Sequence, residues 1–150
     1  MPTGFDLRGG IRDRQINTHG HTQNCYYCTV SALVGKSTSK VVAQTQTMQQ
    51  DQAEVKEILD LFRSAGFQNI QCLKGLLNKD QVEDELDMWL DEGDAIGLAY
   101  VRSDRTGHMV VLLNDGGQKR CIDFQKPPGN RETGFPPESN ILGYYVFCGL

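Results

Sequence analysis

Between Cys25 and Val34, apolar residues recur at helical spacing, with Val30, Leu33 and Val34 falling on one face. Asn24 precedes this stretch as a good N-cap and Gly35 follows as a good C-terminal cap, so the pattern predicts a helix over 25–34. A stronger amphipathic pattern opens at Asp51, lines up Val55, Ile58, Leu59 and Phe62, and ends at Gly66. A third helix is capped by Asn78 and turns Val82, Leu86, Trp89 and Leu90 one way before Gly93. The segment from Lys40 to Met48 fits a helix or a strand, since Val41-Val42 and the threonines at 45 and 47 suit either period.

The second half changes to sheet chemistry. Ala95 to Val101, His108 to Leu113, Arg120 to Gln125 and Ile141 to Phe147 are rich in β-branched and aromatic residues and predict strands, with a shorter one over Phe67 to Leu73. Pro127, Pro128, Gly129, Gly134, Pro136 and Pro137 make Lys126 to Asn140 a long irregular loop, of a length that often carries function. Residues 1–23 have no clear period and read as an irregular N-terminal arm. Helices first and antiparallel strands last define an α+β fold, with the helices expected on one side of a sheet. At 150 residues the chain is expected to form one domain, 1–150.

Composition narrows the functions open to such a domain. A hydrophobic content of 39% with 23% charged residues describes a soluble globular chain, and no apolar run is long enough to cross a bilayer, so no membrane partner is expected. The formal net charge is −4 and the basic residues are scattered, which argues against a nucleic-acid partner. Met1-Pro2-Thr3-Gly4-Phe5-Asp6 has no basic region leading into an apolar stretch, so no signal peptide is expected here. Five cysteines leave at least one thiol unpaired, in a chain too large to depend on disulfides. Cys72, Cys121 and Cys148 stand in apolar, strand-like surroundings and read as small buried hydrophobes.

Cys25 differs from those three. At the first turn of a helix, unpaired backbone N–H groups and the positive end of the dipole favour a thiolate. The Cys25 N–H, with an amide side chain from Gln23 or Asn24, is placed to form an oxyanion hole. By itself a cysteine opening an amphipathic helix is more often a core residue. The strand beginning Gly107-His108 supplies the second constellation, because it leads through Asn114-Asp115-Gly116-Gly117 into a returning strand with Asp123. If Asp115-Gly116 forms the two-residue turn, His108 lies directly opposite Asp123, with Cβ atoms ~4.5–5.5 Å apart. The carboxylate would then accept Nδ1–H and leave Nε2 to deprotonate a thiol. His19, His21, Cys25 and Cys28 form an alternative set of zinc-type ligands, and a non-catalytic zinc-stabilised interaction module is the alternative function. All four ligands would be local, however, and His108 and Asp123 would go unexplained. Cys25-x-x-Cys28 as a redox pair lacks the preceding strand such motifs require.

Asn24-Cys25-Tyr26-Tyr27-Cys28 opening a helix, then Gly107-His108-Met109-Val110-Val111 and Ile122-Asp123-Phe124-Gln125, resembles the papain-fold toxin domains of bacterial polymorphic toxins. The same His–Asp hairpin resembles that of bacterial effector glutamine deamidases. The resemblance spans residues 24–125. It implies a papain-like fold and a Cys–His–Asp triad of Cys25, His108 and Asp123, with Gln125 on the glutamine of an Asp-x-Gln pattern. It also implies a cysteine hydrolase, a glutamine deamidase or a protease, that needs no metal or cofactor. Such a toxin is secreted by a bacterium, acts on a protein substrate in the target-cell cytoplasm, and is held in check by an immunity protein. Papain-type peptidases carry an oxyanion glutamine six residues before the nucleophile, where this chain has His19. The choice between Cys25 and Cys28 goes to Cys25, because stabilisation of a thiolate fades beyond the first turn.

Overall fold

The computed structural model describes residues 2–7, 25–35 and 55–150. The expectations for the N-terminal arm beyond residue 7, for 40–48 and for the start of the second helix lie outside these residues. In chain order the elements are β1 (Phe5–Asp6), α1 (Cys25–Val34), α2 (Val55–Ser64), β2 (Ile70–Leu76), α3 (Lys79–Trp89), β3 (Asp94–Arg102), β4 (Gly107–Asp115), β5 (Gln118–Ile122), β6 (Glu132–Thr133) and β7 (Ile141–Gly149). Among the described residues, three helices and seven strands make an α+β fold around one antiparallel sheet of order β2-β7-β3-β4-β5-β6, with β1 pairing β3 beyond the end of β7.

The helix ends follow from local chemistry. Asn78 sits in extended backbone and its side chain accepts the Gln81 N–H at 2.9 Å, which satisfies one of the unpaired donors of α3. Gly35 and Gly66, just past α1 and α2, adopt positive φ.

The helices do not share one side of the sheet. Val30, Leu33, Ile58, Leu61 and Phe62 of α1 and α2 pack with Ala95, Met109, Val111, Leu113 and Phe147 on one face. Val82 and Leu86 of α3, with Leu90, cover Ile96, Leu98, Val110, Leu112 and Val146 on the other. β3 and β4 are apolar on both faces, so both must be covered, and the segregation of helices along the sequence does not imply segregation in space. Burial of each large side chain contributes roughly 1.5–3 kcal/mol. α1 is buried from Cys25 through Leu33 and lies close over the sheet at Gly97. A side chain at 97 would meet Met109 Cε at 2.5 Å and Leu33 Cδ1 at 3.5 Å.

The β4–β5 hairpin turns one residue later than expected. Asp115 pairs with Gln118, and Gly116 and Gly117 form the loop with φ of 63° and 85°. A turn with positive φ at both central positions costs least when both are glycine, whereas the expected turn would have forced Asp115 into the left-handed region. β5 also ends at Ile122 rather than Gln125. The Asp123 carboxylate accepts the Gln125 N–H at 3.0 Å, and this local turn replaces the ladder. The loop that follows is more ordered than its composition implied: it contains β6, paired with β5, and a buried Arg131 whose guanidinium lies 4.7 Å from the Phe124 ring.

Candidate active site

Cys25 is the first residue of α1, and its side chain lines a cavity of about 270 Å³ between that helix, α2 and the sheet. Tyr26, Val55, Ile58, Ala99, Tyr145 and Phe147 form much of the apolar wall, and His108 and Tyr100 are among the other lining residues. Cys25 is 8% exposed, whereas Cys28, three residues on, is fully buried in the core and does not line the cavity. The geometry therefore favours the first of the two cysteines.

His108 stands near the start of β4, where β5 no longer covers the sheet edge, because the β4–β5 ladder runs no further back than Val111. Its Nε2 lies 3.0 Å from Oδ2 of buried Asp123. This is a correction at the level of atoms. The expected direct opposition would have used Nδ1, but the later turn makes Asp123 the diagonal neighbour of His108 rather than its direct partner. A diagonal separation of ~7–8 Å is bridged by the nitrogen farther from the backbone. The faces are unchanged, since moving the turn by one residue shifts the pairing by two positions and preserves the alternation. With Nε2 taken by Asp123, Nδ1 is the ring nitrogen left over, and the Cys25 side chain is the other group that interacts with the imidazole.

Burial is the largest influence on the His108 imidazole and works to lower its pKa. The hydrogen bonds to Asp123 and Cys25, with the charges of both groups, outweigh it and raise the ring to about 9. His108 therefore holds its proton more tightly than a free imidazole, between the Asp123 carboxylate and the Cys25 sulfur. Burial pushes Cys72 up to about 11 and Cys121 and Cys148 up to about 12, so those three are poor nucleophiles.

Several supporting residues escaped the sequence reading. Tyr100 pairs directly with His108 across β3–β4, and its ring meets the imidazole edge-on at 5.8 Å. Its hydroxyl donates to Glu138 at 3.1 Å, and Arg102 binds the same carboxylate through two nitrogens at 2.6 and 2.8 Å. The Arg102 hydrogen bonds hold the Glu138 carboxyl below its ordinary range. This network ties the 126–140 loop to β3 beside His108. Asp123 is set by its backbone, whose N–H donates to the Arg131 carbonyl at 2.8 Å. The pairing of Tyr100 with His108 was accessible in principle from the β3–β4 turn, but the role of Glu138 depends on where a proline-rich loop returns.

Gln125 meets Asp123 through its backbone N–H, and it is not among the residues lining the cavity. Gln23, Asn24, His19 and His21 lie outside the described residues, so the oxyanion and zinc assignments that use them have no geometry here. Among the described residues no cluster of His, Cys, Asp and Glu is arranged to hold a metal ion, and no helix is long and apolar enough to cross a membrane. No protein-family model matches the chain, and the curated proteins include no match to it.

Proposed function

We propose that this chain is a papain-like cysteine hydrolase of amide bonds, a bacterial toxin or effector domain whose preferred substrate is a glutamine side chain of a target protein. The observation that carries this reading is the His108 imidazole held between Asp123 and the Cys25 thiol at the wall of a cavity. With the proton resting on His108, the Cys25 sulfur attacks the amide carbonyl. The imidazolium then protonates the departing nitrogen, ammonia leaves, and an acyl-enzyme remains. His108 next takes a proton from water, whose oxygen attacks the thioester and returns Cys25 with a glutamate product. Asp123 keeps Nε2 occupied and stabilises the imidazolium, so that Nδ1 faces the sulfur.

A protease of the same chemistry is the second reading, favoured by the apolar wall of the cavity, which suits an apolar peptide side chain near the attacked bond. Burial of Cys28 within the apolar core speaks for either hydrolase over a zinc module that would need that thiol as a ligand. Incubation with lysates of candidate target cells, read by mass spectrometry, tests the proposal. Deamidation adds about 1 Da to an intact substrate, whereas proteolysis creates new termini. A protein that produces neither change, at any concentration at which Cys25→Ala is a matched control, is not this enzyme.

A further inference from the structure

We infer that Thr29 is a positioning residue for the proposed reaction, its hydroxyl joining the residue that carries the nucleophile to the strand that carries the base. Thr29 lies one helical turn after Cys25 and is 1% exposed. Its Oγ1 is 2.9 Å from the Cys25 carbonyl oxygen and 3.1 Å from the Met109 carbonyl oxygen. The hydroxyl has one hydrogen and two acceptors, so it is shared between them. A threonine bonding back to the carbonyl four residues earlier is common in helices and proves little. The second acceptor is different, since it lies 80 residues away in sequence and immediately follows His108. Thr29 therefore contacts the nucleophile's own carbonyl at one end and the neighbour of the base at the other.

The sheet makes such a link necessary. Where β5 stops, the β4 edge at His108 and Met109 loses its β5 partner, and α1 reaches Met109 there through the Thr29 hydroxyl. Apolar packing holds a helix against a sheet but has no directional preference, so α1 could slide along β4 by a fraction of an ångström at little cost. A hydrogen bond is directional and fixes that coordinate. The separation of Cys25 and His108 then depends on a two-bond path through Thr29. A misplacement of ~1 Å at a reacting pair can cost on the order of 100-fold in rate.

This inference rests on the cysteine-hydrolase reading, and alkylation tests the two separately. Wild type, His108→Ala, Thr29→Val, Thr29→Ala and Thr29→Ser are treated with iodoacetamide at pH 6 and at pH 9, and labelling of Cys25 is followed by peptide mass spectrometry. Valine keeps the shape of threonine and removes the hydroxyl. Thr29→Val is expected to label about tenfold more slowly than wild type at pH 6 and at a similar rate at pH 9. Thr29→Ser, which restores the hydroxyl without the methyl, should regain the wild-type profile. If Thr29→Val does not fold, Thr29→Ala against Thr29→Ser decides in the same way. A folded Thr29→Val or Thr29→Ala with the wild-type profile overturns the inference, as does Thr29→Ser slowed as much as Thr29→Val. Labelling of wild type at pH 6 that is indifferent to His108→Ala overturns the hydrolase reading and takes this inference with it.

Discussion

The two faces of the sheet are built from the same strands and are organised oppositely. On the α3 side, Val82, Leu86 and Leu90 close over Ile96, Leu98, Val110, Leu112 and Val146. A buried polar group there, the Asn114 amide, donates to the Leu90 carbonyl and locks the end of α3 to β4. On the α1 side, the packing opens into a cavity, and Cys25 and Thr29 are set among apolar residues with His108 at the cavity wall. The polar groups around the cavity have partners: Thr29 has two carbonyls, His108 has Asp123 and Cys25, and Asp123 has the Gln125 N–H. Both faces bury a contiguous apolar cluster, but only the α1 face also borders the cavity where, on the proposed reading, the reactive groups stand. The lesson is that substitutions should separate the two properties by face.

The largest separation is expected from Cys25→Ala against Leu86→Ala. Cys25→Ala should abolish amide hydrolysis and cost less thermal stability than Leu86→Ala, since alanine keeps the Cβ and loses only the sulfur. Leu86→Ala should cost about 2–5 kcal/mol in urea unfolding through the cavity it leaves, with activity per folded molecule preserved. Loss of catalysis in Leu86→Ala at full folding, or activity in Cys25→Ala, would erase the distinction between faces.

A smaller contrast lies among the five thiols. In the native protein at pH 6, iodoacetamide should modify Cys25 first and leave Cys72, Cys121 and Cys148 untouched, because burial has raised the latter three to about 11 or 12. His108→Ala should slow the Cys25 reaction at least tenfold by removing the imidazolium. Asp123→Asn should reduce turnover more than alkylation, since the carboxylate acts chiefly by orienting the base. Peptide mass spectrometry of the labelled protein reads all three outcomes.

The smallest effect expected is on stability against pH. His108 is raised in the folded state from 6.5 to about 9, so the native protein holds this proton more tightly than the unfolded chain. Its stabilising contribution is complete below about pH 6.5 and is lost as the pH rises through about 9. Urea midpoints should therefore fall more between pH 6 and pH 9.5 in wild type than in His108→Ala. Leu86→Ala, on the other face, should keep the wild-type slope from a lower starting point. Equal slopes in wild type and His108→Ala would mean that the imidazole is not held as the cavity geometry requires.

Much of this molecule was determined by the sequence alone. The bounds of α1, the Asn78 cap of α3 and the order of the main strands depend on periodicity, capping and turn chemistry within a few residues, and they follow from the local pattern. The pairing of His108 with Asp123 was also accessible, because a one-residue error in the hairpin turn leaves both on the same face. Only the tertiary structure decided that α3 covers the opposite side from α1, since an apolar stripe says that a helix must be covered and not by which face. The nitrogen that meets the carboxylate depended on the diagonal offset that two glycines impose on the turn. That Cys25 rather than Cys28 faces the cavity depended on the rotation of α1 about its own axis. Thr29 and Glu138 acquire their roles from chain segments 80 and 38 residues away, and no local pattern encodes a contact whose partner is placed by the folding of everything between.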